Sequence, residues 1–154
     1  MVESNRIEGI HRSPTRQESE ATLDFVTAES MTVVRLKALV AVYQPNARIR
    51  DHADLNVRVG SHIAPRGGPE IVAALEQILM ESAVYDDSYA THHAYETLHP
   101  FTDGNGRSGR ALWLWQLLRA GNEYPSIGFL HLWYYQSLQA GRIFHAQSGF
   151  QGKP

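Results

Sequence analysis

His99-Pro100-Phe101-Thr102-Asp103-Gly104-Asn105-Gly106-Arg107-Ser108-Gly109-Arg110 is the stretch around which the rest of this chain is arranged. It carries a histidine, a carboxylate, three glycines, an amide and two arginines between two apolar segments. Apolar residues recur at every fourth position from Ala90 to Leu98, and a Leu- and Trp-rich run follows at 111–120. Because Pro100 disfavours a helical residue before it and Gly121 suits a helix end, the sequence predicts a helix, a polar glycine loop and a second helix.

The glycines and arginines of this stretch favour the binding of an anion. Gly104 and Gly106 allow backbone N–H groups to approach an anion closely, at the point where the second helix begins. The first N–H groups and the dipole of that helix face the same anion. Arg107 and Arg110 lie three residues apart, and guanidinium groups match phosphate oxygens two at a time.

Asp103 and His99 add two further chemical groups. A carboxylate is a hard ligand for Mg2+, which usually bridges protein and phosphates, and an imidazole can serve as a base near neutral pH. Taken singly, the Gly-Asn-Gly sequence is typical of a turn, Asp103 of a helix cap and Arg110 of a solvated helix face. Together, at this spacing, these residues favour a phosphoryl- or nucleotidyl-transfer site.

The same segment resembles the signature of Fic (filamentation-induced) domains, H-x-F-x-[D/E]-G-N-G-R-x-x-R. The resemblance implies an all-α Fic fold with a small β-hairpin flap, and the transfer of AMP from ATP to a protein hydroxyl. Gly106 stands where the related Doc branch, a protein kinase, carries a lysine, so adenylylation is favoured over phosphorylation. The fixed positions of the signature are filled by His99, Phe101, Asp103, Gly104, Asn105, Gly106, Arg107 and Arg110.

The resemblance also implies a role for each of these residues. His99 would take the proton of the target hydroxyl, Asp103 would hold Mg2+ against the α- and β-phosphates, and Phe101 would point into the core. The implied ATP contacts are a loop of Gly104, Asn105 and Gly106 around the phosphates, Arg107 at the β/γ oxygens and Arg110 at the γ-phosphate.

A second motif lies near the start of the chain. Residues 4–9 alone are compatible with a short helix that has Ser4 as its N-cap and Gly9 as its terminator. They also resemble the inhibitory motif of Fic proteins, [S/T]-x-x-x-E-[G/N], which is filled by Ser4, Glu8 and Gly9. The resemblance implies that Glu8 pairs with Arg110, the arginine that would otherwise hold the ATP γ-phosphate.

Residues 48–68 combine alternating apolar residues with glycine and proline punctuation. This pattern fits either an irregular surface loop or a hairpin of 57–59 and 62–64 that turns near Gly60. The Fic resemblance favours the hairpin, as a flap that holds a target segment by main-chain pairing. The flap residues are Val57, Arg58, Val59, Gly60, Ser61, His62 and Ile63.

Apolar periodicity predicts further helices, and in the first of them Leu23 and Val26 are expected to face the core. His92 and His93, on the helix that leads to the glycine loop, fit either metal ligands or the commoner hydrogen-bonded structural histidines. The helices predicted in addition to the two that flank the loop cover 15–25, 30–43, 69–83 and 128–140.

Composition narrows the range of partners. The chain has 154 residues, which predicts one globular unit. The Fic resemblance implies that residues 1–27 are an N-terminal inhibitory segment and that 28–150 are the Fic domain. A net charge of −2 gives no bulk electrostatic attraction to nucleic acid or to a membrane surface. Without cysteines there are no disulfides or thiolate metal sites. No signal peptide or long apolar run is evident, so we expect a cytoplasmic protein.

The expected ligands are ATP, as substrate, and Mg2+, with a protein bearing a Ser, Thr or Tyr hydroxyl as the target. Two other functions stay open: removal of AMP from a modified protein, with Glu8 activating a water, and non-catalytic nucleotide binding by a regulatory module. The sequence names neither the target protein nor the oligomeric state, and a homo-oligomer stays open.

Overall fold

The computed structural model describes residues 1–60, 62–85 and 87–121. These residues form six helices and one two-stranded antiparallel sheet, which confirms the predicted all-α fold with a small hairpin. None of the helices in the described ranges is long and apolar enough to cross a bilayer. The elements in chain order are α1 (Val2–Ile7), α2 (Arg16–Val26), α3 (Val33–Tyr43), β1 (Arg58–Val59), β2 (His62–Ile63), α4 (Pro69–Val84), α5 (Ser88–Leu98) and α6 (Asn105–Arg119).

Helix α6 is the centre of the described fold. It packs against α5, α2, α3 and α1, and Leu112 and Trp115 on it are fully buried. The Trp115 indole N–H donates to the carbonyl of Ala28 at 2.8 Å, which satisfies the polar atom of this large buried side chain. The helix ends at Arg119, and Gly121 follows with a φ of 80°, as predicted for a residue just past a helix C-terminus.

The loop between α5 and α6 is fixed against the segment that precedes the hairpin. Ile49 and Phe101 form an antiparallel bridge, and the side chain of Phe101 is buried in the core. On either side of this bridge, the N–H of Arg50 donates to the Pro100 carbonyl and the N–H of Thr102 donates to the Arg48 carbonyl, both at 2.9 Å. The polar loop therefore has a rigid backbone support that is distant in sequence.

The predicted helices that fall within the described residues are present, with small shifts at their ends that follow from capping. Helix α2 begins at Arg16 because Thr15 and Glu18 form a reciprocal capping box. Helix α3 begins three residues later than predicted, because the Thr32 hydroxyl accepts from the N–H of Arg35. The helix predicted at 128–140 lies outside the described residues, and the division into 1–27 and 28–150 stays a prediction.

Two local predictions are wrong. Leu23 is 61% exposed, because the buried face of α2 runs through Glu18, Thr22 and Val26. Two of these three buried residues, Glu18 and Thr22, are polar. Ser4 does not cap α1, which already begins at Val2; its hydroxyl instead accepts a hydrogen bond from a distant arginine. The Leu23 prediction was wrong because it relied on apolar periodicity alone. The Ser4 prediction was wrong because the hydroxyl binds a distant side chain rather than the local backbone.

The hairpin is confirmed in the predicted register. Arg58 pairs with Ile63 and Val59 with His62, and Gly60 in the turn has a φ of 59°. The turn residue Ser61 lies outside the described residues. The His62 ring nitrogen Nε2 lies 2.9 Å from the Thr97 carbonyl near the end of α5, so the hairpin is tied to the helix that carries His99.

The core provides a test of this packing. Leu75 on α4 is fully buried, so Leu75→Ala is expected to lower the free energy of unfolding by about 2–5 kcal/mol, through lost burial and a residual cavity. The matched control is Leu23→Ala, where exposure limits the expected change to about 0.5 kcal/mol. Urea denaturation followed by circular dichroism measures both. Equal losses in the two variants would contradict the observed orientation of α2.

Candidate active site

The start of α6 presents unpaired backbone donors at the glycine loop. Gly104 is the N-cap of α6 with a φ of 78°, a left-handed conformation that favours glycine. Within the described part of the chain, the N–H groups of Asn105, Gly106 and Arg107 have no hydrogen-bond acceptor. The first N–H groups of a helix lack intrahelical partners and carry partial positive charge, so this end can accept an anion.

The loop is held in shape by the Asn105 side chain. Its Oδ1 accepts from the N–H of Phe101 at 2.9 Å, and its Nδ2 donates to the Phe101 carbonyl at 2.8 Å. The amide is therefore buried, and each of its two polar atoms is bonded to the Phe101 backbone, which leaves the backbone N–H of Asn105 at the start of α6 without a partner among the described residues. Motif reasoning placed Asn105 in the loop but did not predict this side-chain pairing.

Ser108 is a second support for the loop that sequence reasoning missed. Its buried hydroxyl lies 2.9 Å from the Gly104 carbonyl and 2.7 Å from the Tyr95 hydroxyl. Burial raises the pKa of the Tyr95 hydroxyl, which therefore stays neutral and able to donate. This chain of hydrogen bonds links the start of α6 to the last turns of α5.

His99 sits at the junction of α5 and the loop. It is the C-cap of α5, it is half-buried, and it has a left-handed backbone with a φ of 51°. Non-glycine residues in this region are strained by roughly 1 kcal/mol and persist where surrounding contacts hold them, often at functional sites. Its N–H donates to the Tyr95 carbonyl at 2.9 Å, which closes the helix.

Asp103 is exposed on the loop. One of its carboxylate oxygens accepts from the N–H of Gly104 at 2.6 Å. Among the described residues no group of three or more His, Asp or Glu side chains could enclose a metal ion. A single carboxylate still fits Mg2+, which usually keeps waters and takes its other ligands from substrate phosphates.

Arg107 has protein partners on the side of α3 and α2. Its Nη2 donates to the Tyr43 carbonyl at 3.1 Å, and its guanidinium lies 4.9 Å from the centre of the Tyr43 ring. Its Nη1 lies 3.6 Å from Oε1 of Glu18. The structure thus buries Arg107 directly behind the loop.

Glu18 joins three parts of the chain at this point, and sequence reasoning predicted nothing for it beyond a position near the start of a helix. Arg12 donates to both of its carboxylate oxygens, at 2.7 and 2.8 Å, and the N–H of Thr15 donates to it at 2.7 Å. The Arg12 hydrogen bond, assisted by that of Thr15, lowers the pKa of Glu18 to about 2 despite its burial. The linker between α1 and α2 is therefore tied to Arg107.

Arg110 binds the N-terminal motif. Its Nη2 donates to Oε1 of Glu8 at 2.6 Å and to the Ser4 carbonyl at 3.0 Å, and its Nε donates to the Ser4 hydroxyl at 2.9 Å. Gly9, with a φ of 71°, follows the end of α1. The three motif residues thus bring a carboxylate to a buried guanidinium.

The Glu8 carboxylate also covers the glycine loop. A Cβ atom on Gly106 would overlap Oε1 of Glu8 and approach Nη1 of Arg110. Only a glycine at 106 therefore allows the carboxylate to come this close to the start of α6. An anionic group already occupies the place where the helix N-terminus would receive a phosphate.

His92 is structural. Its Nδ1 lies 3.0 Å from the Gly109 carbonyl, and its ring stacks on Trp113 at 4.7 Å. Burial lowers its pKa to about 3, so the ring is neutral at physiological pH. His93 is buried beside it, and no metal cluster forms among the described residues.

Comparison with known proteins adds two findings. A model of the Fic/DOC family matches residues 6–117, which includes the whole of the loop and α5. The protein adenylyltransferase Fic of Drosophila willistoni is 38% identical over 80 residues, covering 46% of this chain. This match spans 15% of the length of that relative.

Glu18 gives a pH-dependent prediction. Its pKa is lower in the folded chain than the ordinary value of 4.5, so its stabilising effect is complete above about pH 4.5 and is lost as the pH falls towards 2. Glu18→Gln should therefore lower the free energy of unfolding by about 2 kcal/mol at pH 7, with a difference from wild type that shrinks below pH 4.5.

The control for this measurement lies on the same helix. Glu20 pairs with Arg16 at 2.6 Å, but both side chains are largely exposed, so Glu20→Gln should change stability little at any pH. Chemical denaturation between pH 2 and pH 7 gives the comparison. A Glu18→Gln effect that is the same at pH 2.5 and pH 7 would refute the role of the ionised carboxylate.

Proposed function

This chain belongs to the Fic/DOC family, and we propose that it is a protein adenylyltransferase that transfers AMP from Mg-ATP to a Ser, Thr or Tyr hydroxyl of a target protein. The observation that carries the proposal is that the unpaired N–H groups at the start of α6 and His99 at the end of α5 lie at the two ends of one short loop. An anion site next to a base is what transfer of a phosphorus group to an alcohol requires.

The proposed reaction is a substitution at the α-phosphorus of ATP. His99 takes the proton of the target hydroxyl, the hydroxyl oxygen forms a bond to the α-phosphorus, and the bond to the β-phosphate oxygen breaks with release of pyrophosphate. The β/γ-phosphates would be held by the α6 N–H groups and Arg110. Arg107, which keeps its partners Tyr43 and Glu18, would add positive charge behind them. Asp103 would hold Mg2+, which supplies charge neutralisation at the phosphates when it is bound.

The target would dock along the hairpin. Strands β1 and β2 form a two-stranded sheet whose residues Val59 and Ile63 are exposed. An exposed strand edge can pair with an extended peptide through its main chain and reads little of the side-chain identity. Such docking would deliver a hydroxyl towards His99, because His62 already connects the hairpin to the end of α5.

We further propose that Glu8 inhibits the reaction. Its ion pair with Arg110 removes a donor that would bind the γ-phosphate, and it sets a negative charge beside the same position. At a few ångströms and an effective dielectric constant near 20, the repulsion between two unit charges is on the order of 4 kcal/mol. ATP could then bind in a misplaced pose without reacting.

Removal of this carboxylate provides the test. Glu8→Gly and Glu8→Gln should each raise AMP incorporation at least about tenfold, since about 1.4 kcal/mol of lost repulsion corresponds to that factor. Intact-protein mass spectrometry after incubation with Mg-ATP measures self-modification by added AMP, and competing GTP, CTP and UTP report the base preference. The matched control is Glu3→Gln on the same helix, whose carboxylate pairs with Arg6 and should leave the rate unchanged.

His99→Ala in the Glu8→Gly background should abolish labelling while leaving ATP affinity within about twofold, since proton removal and phosphate binding involve different groups. Equal labelling in wild type and Glu8→Gly would remove the inhibitory role of Glu8. Tight ATP binding without labelling in any variant would favour a non-catalytic regulatory module instead.

A second function is favoured by the exposure of Glu8. Its side chain is 33% exposed, so water can reach a carboxylate that lies beside the phosphate site. In the reverse role Glu8 would activate a water that releases AMP from a modified protein. Release of AMP from an adenylylated target by wild type, and its loss in Glu8→Gly, would identify this activity.

A further inference from the structure

Arg50 is a buried cation in an unusual setting. Its side chain is fully buried, and within the described part of the chain no carboxylate lies within ion-pair distance of it. Burial of a charge without a counter-charge is costly unless hydrogen bonds compensate. Four main-chain carbonyls accept from the guanidinium: His99 from Nε at 2.6 Å, Leu98 from Nη2 at 2.7 Å, and Pro65 and Leu55 from Nη1 at 2.8 and 3.2 Å.

These carbonyls belong to two separate parts of the fold. Leu98 and His99 end α5, where carbonyls lack intrahelical donors and carry the negative end of the helix dipole. Leu55 precedes β1 and Pro65 follows β2, so they mark the two sides of the hairpin base. One planar guanidinium thus joins the base of the hairpin to the end of the helix that carries His99.

The backbone of Arg50 is fixed as firmly as its side chain. Its N–H donates to the Pro100 carbonyl and its carbonyl accepts from the N–H of Gly68, both at 2.9 Å. The main chain from which the guanidinium extends therefore cannot shift without moving the residue that follows His99 or the start of α4. His99 has a left-handed backbone, a conformation that persists only where the surroundings hold it.

We propose that Arg50 is a positioning residue, which fixes His99 relative to the hairpin that presents the target hydroxyl. The proposal rests on the function proposed above, in which His99 is the base and the hairpin is the docking site. An error of about 1 Å between a base and its substrate can cost about a hundredfold in rate. Arg50 sets this geometry through carbonyls alone, without contact to ATP being required.

The geometry calls for arginine in particular. Arginine offers five N–H donors in a rigid planar fork, whereas lysine offers three donors from a single nitrogen. A lysine at position 50 keeps the positive charge near the α5 carbonyls but cannot span both α5 and the hairpin base. Arg50→Lys therefore separates the positioning role from the mere presence of a charge.

The experiment compares Arg50→Lys with Arg48→Met by NMR of the histidine rings. Arg48 lies two residues away with an exposed side chain, so its variant controls for loss of an arginine in this segment. The His99 ring signal, identified by its absence in His99→Ala, should move or split in Arg50→Lys and shift its titration midpoint, but stay unchanged in Arg48→Met. The buried His92 ring reports whether the fold is intact.

Two functional readouts accompany the spectra. ATP affinity by calorimetry should stay within about twofold in Arg50→Lys, because the α6 N–H groups are untouched. In the Glu8→Gly background kcat should fall about tenfold or more while KM for ATP changes less than about twofold. If that background shows no AMP transfer, the proposed function fails, and the NMR comparison still decides whether Arg50 positions His99.

An unchanged His99 signal and titration in a folded Arg50→Lys protein would overturn the proposal. If Arg50→Lys loses the His92 signal and so does not fold, the proposal is tested on the wild-type protein instead. There, a scalar coupling through the hydrogen bond, between Nε of Arg50 and the carbonyl carbon of His99, supports the positioning role of Arg50, and the absence of this coupling overturns it.

Discussion

The turn between α5 and α6 depends on the double hydrogen bond between the Asn105 side chain and the backbone of Phe101. This pairing closes a loop of five residues, 101–105, so that the chain reverses while the first N–H groups of α6 stay without partners among the described residues. The bridge of Ile49 with Phe101 holds the same part of the loop from the other side. His99 leaves α5 just before this turn, in the left-handed backbone conformation that closes the helix.

The attachment of α1 balances opposing contributions. A six-residue helix has little stability of its own, so α1 is held by tertiary contacts, among them the ion pair of Glu8 with Arg110. Asn5 on the same helix is fully buried, and within the described chain neither its amide oxygen nor its amide nitrogen has a hydrogen-bond partner. Such a group costs about 1–3 kcal/mol, which offsets part of the ion pair and leaves α1 closer to release.

The sequence predicted best those features of the fold and the site that depend on neighbouring residues in the chain. The loop, its flanking helices and the hairpin register follow from adjacent residues, because glycine, proline and apolar spacing restrict the backbone directly. Arg50 and Glu18 were not recognised, because their partners lie in other elements and an isolated arginine or glutamate resembles any surface charge. The prediction that Leu23 faces the core was wrong for a related reason. The buried face of α2 carries the hydrogen-bonded side chains of Glu18 and Thr22, and a search for apolar periodicity does not detect polar residues.

The three arginines buried in the described chain differ in what they bind, and this difference decides which of them can act as a switch. Arg50 is bound by carbonyls of the fold itself, and Arg107 lies between Tyr43 and Glu18, both within or at the start of packed helices. Neither set of partners can leave without unfolding part of the core. Arg110 is bound by Ser4 on the short helix α1 and by Glu8 at its C-cap, so its partner can be exchanged for another anion at a lower cost. Arg110, beside the unpaired N–H groups of α6, is therefore the place where the proposed competition between a phosphate and the N-terminal helix would occur.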